Sequence, residues 1–193
     1  MKTEDLLKQE VKNYSALFEI PEELILAIIQ TESAGSLYAY RTEAHYRYLF
    51  NIKQHAPFRS LKSSEKNNEV APKDFPYLRN ISSRNTEWIG QQASWGPMQV
   101  MGAVAREYGF SGPFPELCSA QGIFYGCRHL LSLKKVWYDR YGWKGVAAAY
   151  NAGSVRFSSE CELVNQHYVD TVARNGAAEL FTQPLVKNEE AVV

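Results

Sequence analysis

Apolar residues in the stretch 3 to 18 fall at Leu6, Leu7, Val11, Tyr14, Leu17 and Phe18, with charged side chains between them. That spacing places them on one face and predicts an amphipathic helix. Pro21 then suits the first position of a second helix, and Glu22 and Glu23 follow where the helix dipole favours negative charge. The second helix, PEELILAIIQTES, is apolar nearly all round at Leu24, Ile25, Leu26, Ala27, Ile28 and Ile29, so it is expected to lie in the core. It closes on Gln30, Thr31, Glu32 and Ser33, with Gly35 as the predicted stop. A carboxylate at the end of a buried helix is unusual.

From about residue 50 to 93 the pattern turns polar and turn-forming, with Pro57, Pro72, Pro76, Asn67-Asn68 and the run Ser63-Ser64-Glu65-Lys66. Short strands or an irregular excursion are expected here, with 60 to 75 mobile and the segment placed to cover a cleft. Helical spacing returns at Pro97 to Tyr108, Glu116 to Tyr138 and Gly145 to Tyr150, punctuated by Gly109, Gly112, Pro113, Pro115 and Gly142. A last helix is expected over Val164 to Ala178, and the closing KNEEAVV reads as a frayed end. The reading is one domain over 1 to 180 with a flexible tail over 181 to 193. Its class is mainly α, an α+β arrangement with a small β or irregular lobe near 50 to 93.

Composition narrows the function classes. The 193 residues carry 21 basic and 21 acidic side chains, so no overall field gathers nucleic acid or an anionic membrane. The opening MKTEDLLKQEVKNY has early acids and no apolar run of a secretory signal, and no stretch approaches the roughly 18 apolar residues of a membrane span. Synthesis in the cytosol without a signal peptide, no membrane insertion and a monomer are the expectations. Cys118, Cys127 and Cys161 are odd in number, widely spaced and without a CxxC, so buried reduced thiols are expected rather than disulfides or zinc. His129 lies two residues after Cys127, a spacing that points the two side chains apart on a helix.

Three short motifs carry chemistry: TES at 31 to 33, SWGPMQVM at 94 to 101 and AAAYNAG at 147 to 153. Their order and spacing resemble the lytic transglycosylase family, related to goose-type lysozyme, whose motifs are Glu-Ser at a helix end, Gly-Leu-Met-Gln-x-Met and Ala-Tyr-Asn-Ala-Gly. The resemblance spans roughly 14 to 175, takes in GCRHL and NQHYVDTV, and looks most like the phage and prophage branch. It implies a lysozyme-like fold, cleavage of the MurNAc-GlcNAc β-1,4 bond of peptidoglycan glycan strands, and no cofactor or metal. It also implies action on the periplasmic wall, reached by holin-type release as an endolysin or by delivery with a phage particle.

Glycosidic cleavage needs an acid that protonates the leaving oxygen. A glutamic acid of ordinary pKa, about 4.3, is mostly ionised at neutral pH, so the site must disfavour the charge. Glu32 qualifies by position, since it ends an apolar helix beside C-terminal carbonyls that repel a carboxylate. A surface cap is the plain alternative. Ser33 either sets the helix end or faces solvent. Gly96 lets backbone lie close to a ligand, and Gln99 offers donor and acceptor to an acetamido group or a structural bond. Ser94 opens the same motif and joins the substrate-binding candidates. Met98 suits core packing, while Met101 resembles the family methionine of the subsite wall. Pro97 stands where the family has Leu, and is expected in the first turn of the following helix.

Tyr150 resembles the family tyrosine that bonds the catalytic Glu, and Asn151 presents an amide to an N-acetyl group or braces the cleft. Tyr38, Tyr40, Tyr46 and Trp95 are candidate sugar-facing aromatics. A hydrolase that inverts needs a second carboxylate roughly 6.5 to 9.5 Å from the acid, for which Glu43 and Glu87 are the candidates, Glu43 having a surface pair with Arg41 as its alternative. The lytic route dispenses with that group, because the muramic 6-hydroxyl attacks and one Glu serves as acid, then as base. An inactive glycan-binding virion component is the reading without catalysis.

Overall fold

The computed structural model describes residues 3 to 43, 45 to 66, 68 to 159 and 162 to 182. Asn67, Cys161 and the tail from 183 onward lie outside the described residues. The chain is mainly helical with a small sheet portion, an α+β arrangement. Where one core was expected, the chain divides into two compact units, one of residues up to Ala34 with those from Cys127 on, the other Gly35–Gly126.

The first unit opens with α1 (Thr3–Phe18) and α2 (Glu22–Ser33), both at the expected bounds. Val11 is buried as the α1 pattern requires and Tyr14 and Phe18 are half-buried, whereas Leu17 is 63% exposed and lies off the apolar stripe. In α2, Leu24, Ile25, Ala27, Ile28 and Ile29 are buried. The helix ends one residue earlier than the glycine stop: Ala34 itself turns left-handed at φ 51°, ahead of Gly35 at φ 80°. Its N–H bonds back to the Gln30 carbonyl at 3.1 Å, closing the last turn.

The two helices expected over 116 to 150 are present as two segments of α5 (Ala120–Ala152), which meet at a kink where the sequence places Gly142. Gly142 breaks it with φ 57° and ψ −163°, a conformation open essentially to glycine alone. Past the break, Ala147, Ala148 and Ala149 are fully buried, as their small side chains suit. The last helix is shorter than its apolar spacing predicts. It divides into α6 (Gln166–Val172), a π-type turn Ala173–Ala177 and a 3-10 turn Ala178–Phe181, because Gly176 leaves helical geometry at φ 127°. α2 packs against α6 and this π-type turn.

The second unit holds a three-stranded antiparallel sheet in the order β1-β4-β5, from β1 (Tyr40–Thr42), β4 (Ala93–Trp95) and β5 (Val100–Met101). Tyr40 pairs with Trp95, and Ser94 with Met101. The region expected as irregular contains the hairpin β2 (Phe50–Asn51) with β3 (Ala56–Pro57), then α3 (Arg84–Gln91). It has a core of its own, Leu49, Ala71, Phe75 and Trp88, with Phe58 and Leu61 against it. Arg59 bonds both Glu65 and Asp74 through paired contacts of 2.7 to 2.8 Å, which ties down a stretch expected to be mobile.

The helix expected from Pro97 begins only at Gly102, as α4 (Gly102–Glu107). Gly96 to Gln99 form a β-turn instead, closed by the Gln99 N–H on the Gly96 carbonyl at 3.1 Å. Proline's fixed φ suits the second position of such a turn as well as it suits a helix start. The helix expected from Glu116 is likewise preceded by a 3-10 turn, Phe114–Leu117.

Candidate active site

In the first unit, Glu32 sits on the last turn of α2 and is half-buried. The hydroxyls beside it serve the helix: Thr31 Oγ1 donates to the Ala27 carbonyl at 2.7 Å and Ser33 Oγ to the Ile29 carbonyl at 3.1 Å. Of the two readings of Ser33, setting the helix end is therefore the observed one. Asn175 donates its amide to Thr31 Oγ1 at 2.9 Å, joining the π-type turn to the same helix end.

Tyr168, on α6, donates its hydroxyl to Glu32 Oε1 at 2.7 Å. Burial, the Glu32 charge and this bond raise the Tyr168 phenol well above its ordinary value, with a smaller contribution from Tyr150. The phenol stays protonated and keeps donating. Sequence reading assigned a Glu-bonding tyrosine to Tyr150 alone and passed over Tyr168, although its segment NQHYVDTV was part of the family resemblance. Tyr150 stands within electrostatic reach of Tyr168, and its ring lies 5.3 Å from that of His129. Burial pushes the His129 imidazole down to about 4, so this neighbour is neutral at neutral pH.

Asn151 is exposed, and its side-chain oxygen accepts from Asn165 Nδ2 at 3.0 Å. Asn165 also donates to the Ala148 carbonyl at 3.0 Å. With its oxygen engaged, the Asn151 amide keeps its NH2 as the donor for a carbonyl. Cys127 is buried, and burial raises its thiol to about 12, which removes it as a nucleophile at neutral pH. Cys118 is half-buried with its thiol also raised by burial.

In the second unit the sequence-predicted groups divide. Gln99 spends its amide hydrogens on the carbonyls of Ala39 at 3.0 Å and Gly96 at 2.9 Å, while its oxygen accepts from Ser94 Oγ at 2.9 Å. Ser94 is buried and also reaches the Arg41 carbonyl at 3.3 Å. Both residues, expected to bind substrate, are committed to holding the β4 turn and β1 together. Gly96 approaches protein rather than ligand, since a Cβ there would stand 2.0 Å from the Leu117 carbonyl oxygen. Met98 is fully buried, as expected, and Met101 is half-buried on β5.

Glu87, a candidate second carboxylate, is likewise engaged within the protein. It is fully buried, pairs with Arg106 through bonds of 2.8 and 2.9 Å, and accepts further from Gln91 and Ser82. A carboxylate so completely bonded and shut from solvent has no lone pair open to activate water. Glu43 is partly exposed and paired with Arg41, the alternative given for it. Among the aromatics, Tyr40 is 66% exposed and stacks on Trp95 at 5.5 Å, and Trp95 stacks in turn on Phe114 at 5.7 Å. Tyr38 is exposed as well. Tyr46 is half-buried, and burial together with Glu107 and Tyr108 raises its phenol, so it faces protein more than sugar.

Among the described residues no His, Cys, Asp and Glu side chains gather as a metal site, and no helix is long and apolar enough to cross a membrane. Comparison with protein-family models, curated proteins and solved structures finds no match for this chain.

Proposed function

We propose that this chain is a peptidoglycan lytic transglycosylase in which Glu32 acts first as general acid and then as general base. The observation that carries the reading is the Glu32 carboxyl at the end of an apolar helix, held by the Tyr168 hydroxyl at 2.7 Å. In its acid form Glu32 carries the proton that the reaction needs. It delivers that proton to the bridging oxygen of a MurNAc-GlcNAc bond, the C1–O bond breaks with its electron pair on the departing GlcNAc, and C1 becomes oxocarbenium-like. The muramic 6-hydroxyl then attacks C1 while Glu32, now a carboxylate, takes its proton, leaving a 1,6-anhydro end.

Within the same unit, Asn151, its oxygen occupied by Asn165, supports binding of the glycan strand by donating to an N-acetyl carbonyl. The muramidase alternative, hydrolysis through a second carboxylate, loses Glu87 to its pair with Arg106 and is left with Glu43.

The test is mass analysis of the muropeptides released from purified sacculi. Anhydro ends are expected, and Glu32→Gln is expected to abolish release. Reducing ends would replace transglycosylation by hydrolysis, and full activity in Glu32→Gln would overturn the assignment of the acid.

A further inference from the structure

In the second unit, the residues after Pro76 fold into a tight turn in which the N–H groups of Ile81 and Ser82 both reach the Leu78 carbonyl at 2.9 Å. The turn lines an open depression of about 480 Å³ bordered by Tyr77, Arg79, Asn80, Ile81, Ser82 and Ser83. Its two hydroxyls are engaged, Ser82 with Glu87 and Ser83 with Thr86. The guanidinium of Arg79 and the amide of Asn80 are exposed and have no protein partner among the described residues.

Two further cations converge on the Tyr77 ring, the Arg84 guanidinium at 5.4 Å and Lys53 Nζ at 5.9 Å from its centroid. Arg84 Nε is buried without an acceptor. The acids of this unit that form ion pairs, Glu43, Glu65, Asp74 and Glu87, are paired with Arg41, Arg59 and Arg106 instead. Arg79 thus borders the depression, and Lys53 and Arg84 adjoin it through the Tyr77 ring that also lines it; these are three positive charges without an ion pair among the described residues, in a chain whose total charge is zero. Like charges so placed repel unless an anion joins them, and an unpaired guanidinium presents a planar fork that matches the oxygens of a carboxylate or phosphate.

We propose that Lys53, Arg79 and Arg84, the first and last held on Tyr77, bind an oxyanion of the phosphate or carboxylate class in this depression, with the Asn80 amide as a further donor. The site is independent of the chemistry at Glu32. It takes the anion as a ligand, and no bond in that ligand is made or broken.

The experiment titrates the full chain at constant low ionic strength, once with inorganic phosphate and once with a muropeptide bearing free stem-peptide carboxylates, followed by calorimetry. Saturable binding of at least one probe is expected, weakened roughly tenfold in Arg79→Gln or Lys53→Gln, the loss of one charge-assisted contact. Arg140→Gln, which removes an exposed arginine of the first unit, is expected to leave it unchanged. The tighter of the two probes identifies the source of the oxyanion. Both substituted side chains are exposed, so folding is expected to survive and is verified by circular dichroism. Absence of saturable binding by either probe, or binding that neither Arg79→Gln nor Lys53→Gln weakens, overturns the proposal.

Discussion

A carboxyl that donates a proton and takes one back depends on what its second oxygen touches, and at Glu32 that neighbour is the Tyr168 hydroxyl. A donor to a carboxylate favours the charged form. Tyr168→Phe is therefore expected to lower kcat by roughly ten- to a hundredfold, the worth of one hydrogen bond to a charged group. The alkaline limb of the pH-rate profile should move to higher pH, because the acid form of Glu32 persists longer without the donor. An unchanged profile in steady-state kinetics would reduce Tyr168 to packing. The two other acids separate just as clearly. Glu87→Gln leaves Arg106 buried beside a neutral partner and is expected to cost about 3 to 5 kcal/mol in urea unfolding. Glu43→Gln loses only a surface pair, worth less than about 1 kcal/mol. If it nonetheless abolishes turnover, the hydrolytic route through Glu43 takes precedence.

At the scale of elements, the turn joining β4 to β5 shows which parts of the sequence could be read in advance. Gly96 takes φ 71° and lies against the Leu117 backbone, so Gly96→Ala meets both a disfavoured dihedral and a carbonyl oxygen. A loss of at least about 2 kcal/mol in thermal or urea unfolding is expected. A variant as stable as the parent would show that this turn relaxes freely. The need for glycine here was legible, but its reason was not, since the close partner lies some twenty residues away. Pro97 is ambiguous for a related cause: its local preference serves a helix start and a turn equally, and the pairing of β4 with β5 decides between them. α1 and α2 were legible because their period of apolar positions is set within each helix. Tyr168, by contrast, is 136 residues from Glu32, and nothing local in NQHYVDTV marks it as the donor. Gln99 and Ser94 stand out in the motif as special positions, and their structural hydrogen bonds to Ala39, Gly96 and Arg41 are not legible there, because a motif records that an amide is needed and not which acceptor it meets.

At the scale of the whole chain, each unit has its own core and its own response to acid. In the first, burial lowers the His129 imidazole from 6.5 to about 4. The unfolded chain then binds more protons than the folded one between those values, so the stabilisation is complete above about pH 6.5 and declines as pH falls toward 4. The span of the shift corresponds to at most about 3 kcal/mol. In the second, Arg59 holds Glu65 down to about 2 from an ordinary 4.5 and lowers Asp74 as well, both through direct hydrogen bonds. That contribution is complete above about pH 4.5 and disappears only as pH falls toward 2. Acidification is thus expected to loosen the first unit before the second. Pulsed hydrogen exchange with mass analysis, after equilibration at stepped pH, reads each unit through its own peptides. Peptides of α5 beyond Cys127 should lose protection first, and those spanning β2 to α3 should keep it until the Arg59 pairs dissolve. Replacing His129 by Gln removes the titrating group, so protection of the first unit should no longer change between about pH 6.5 and 4.5. Simultaneous loss in both units, or an unaltered transition in His129→Gln, would mean that other groups govern the response to acid.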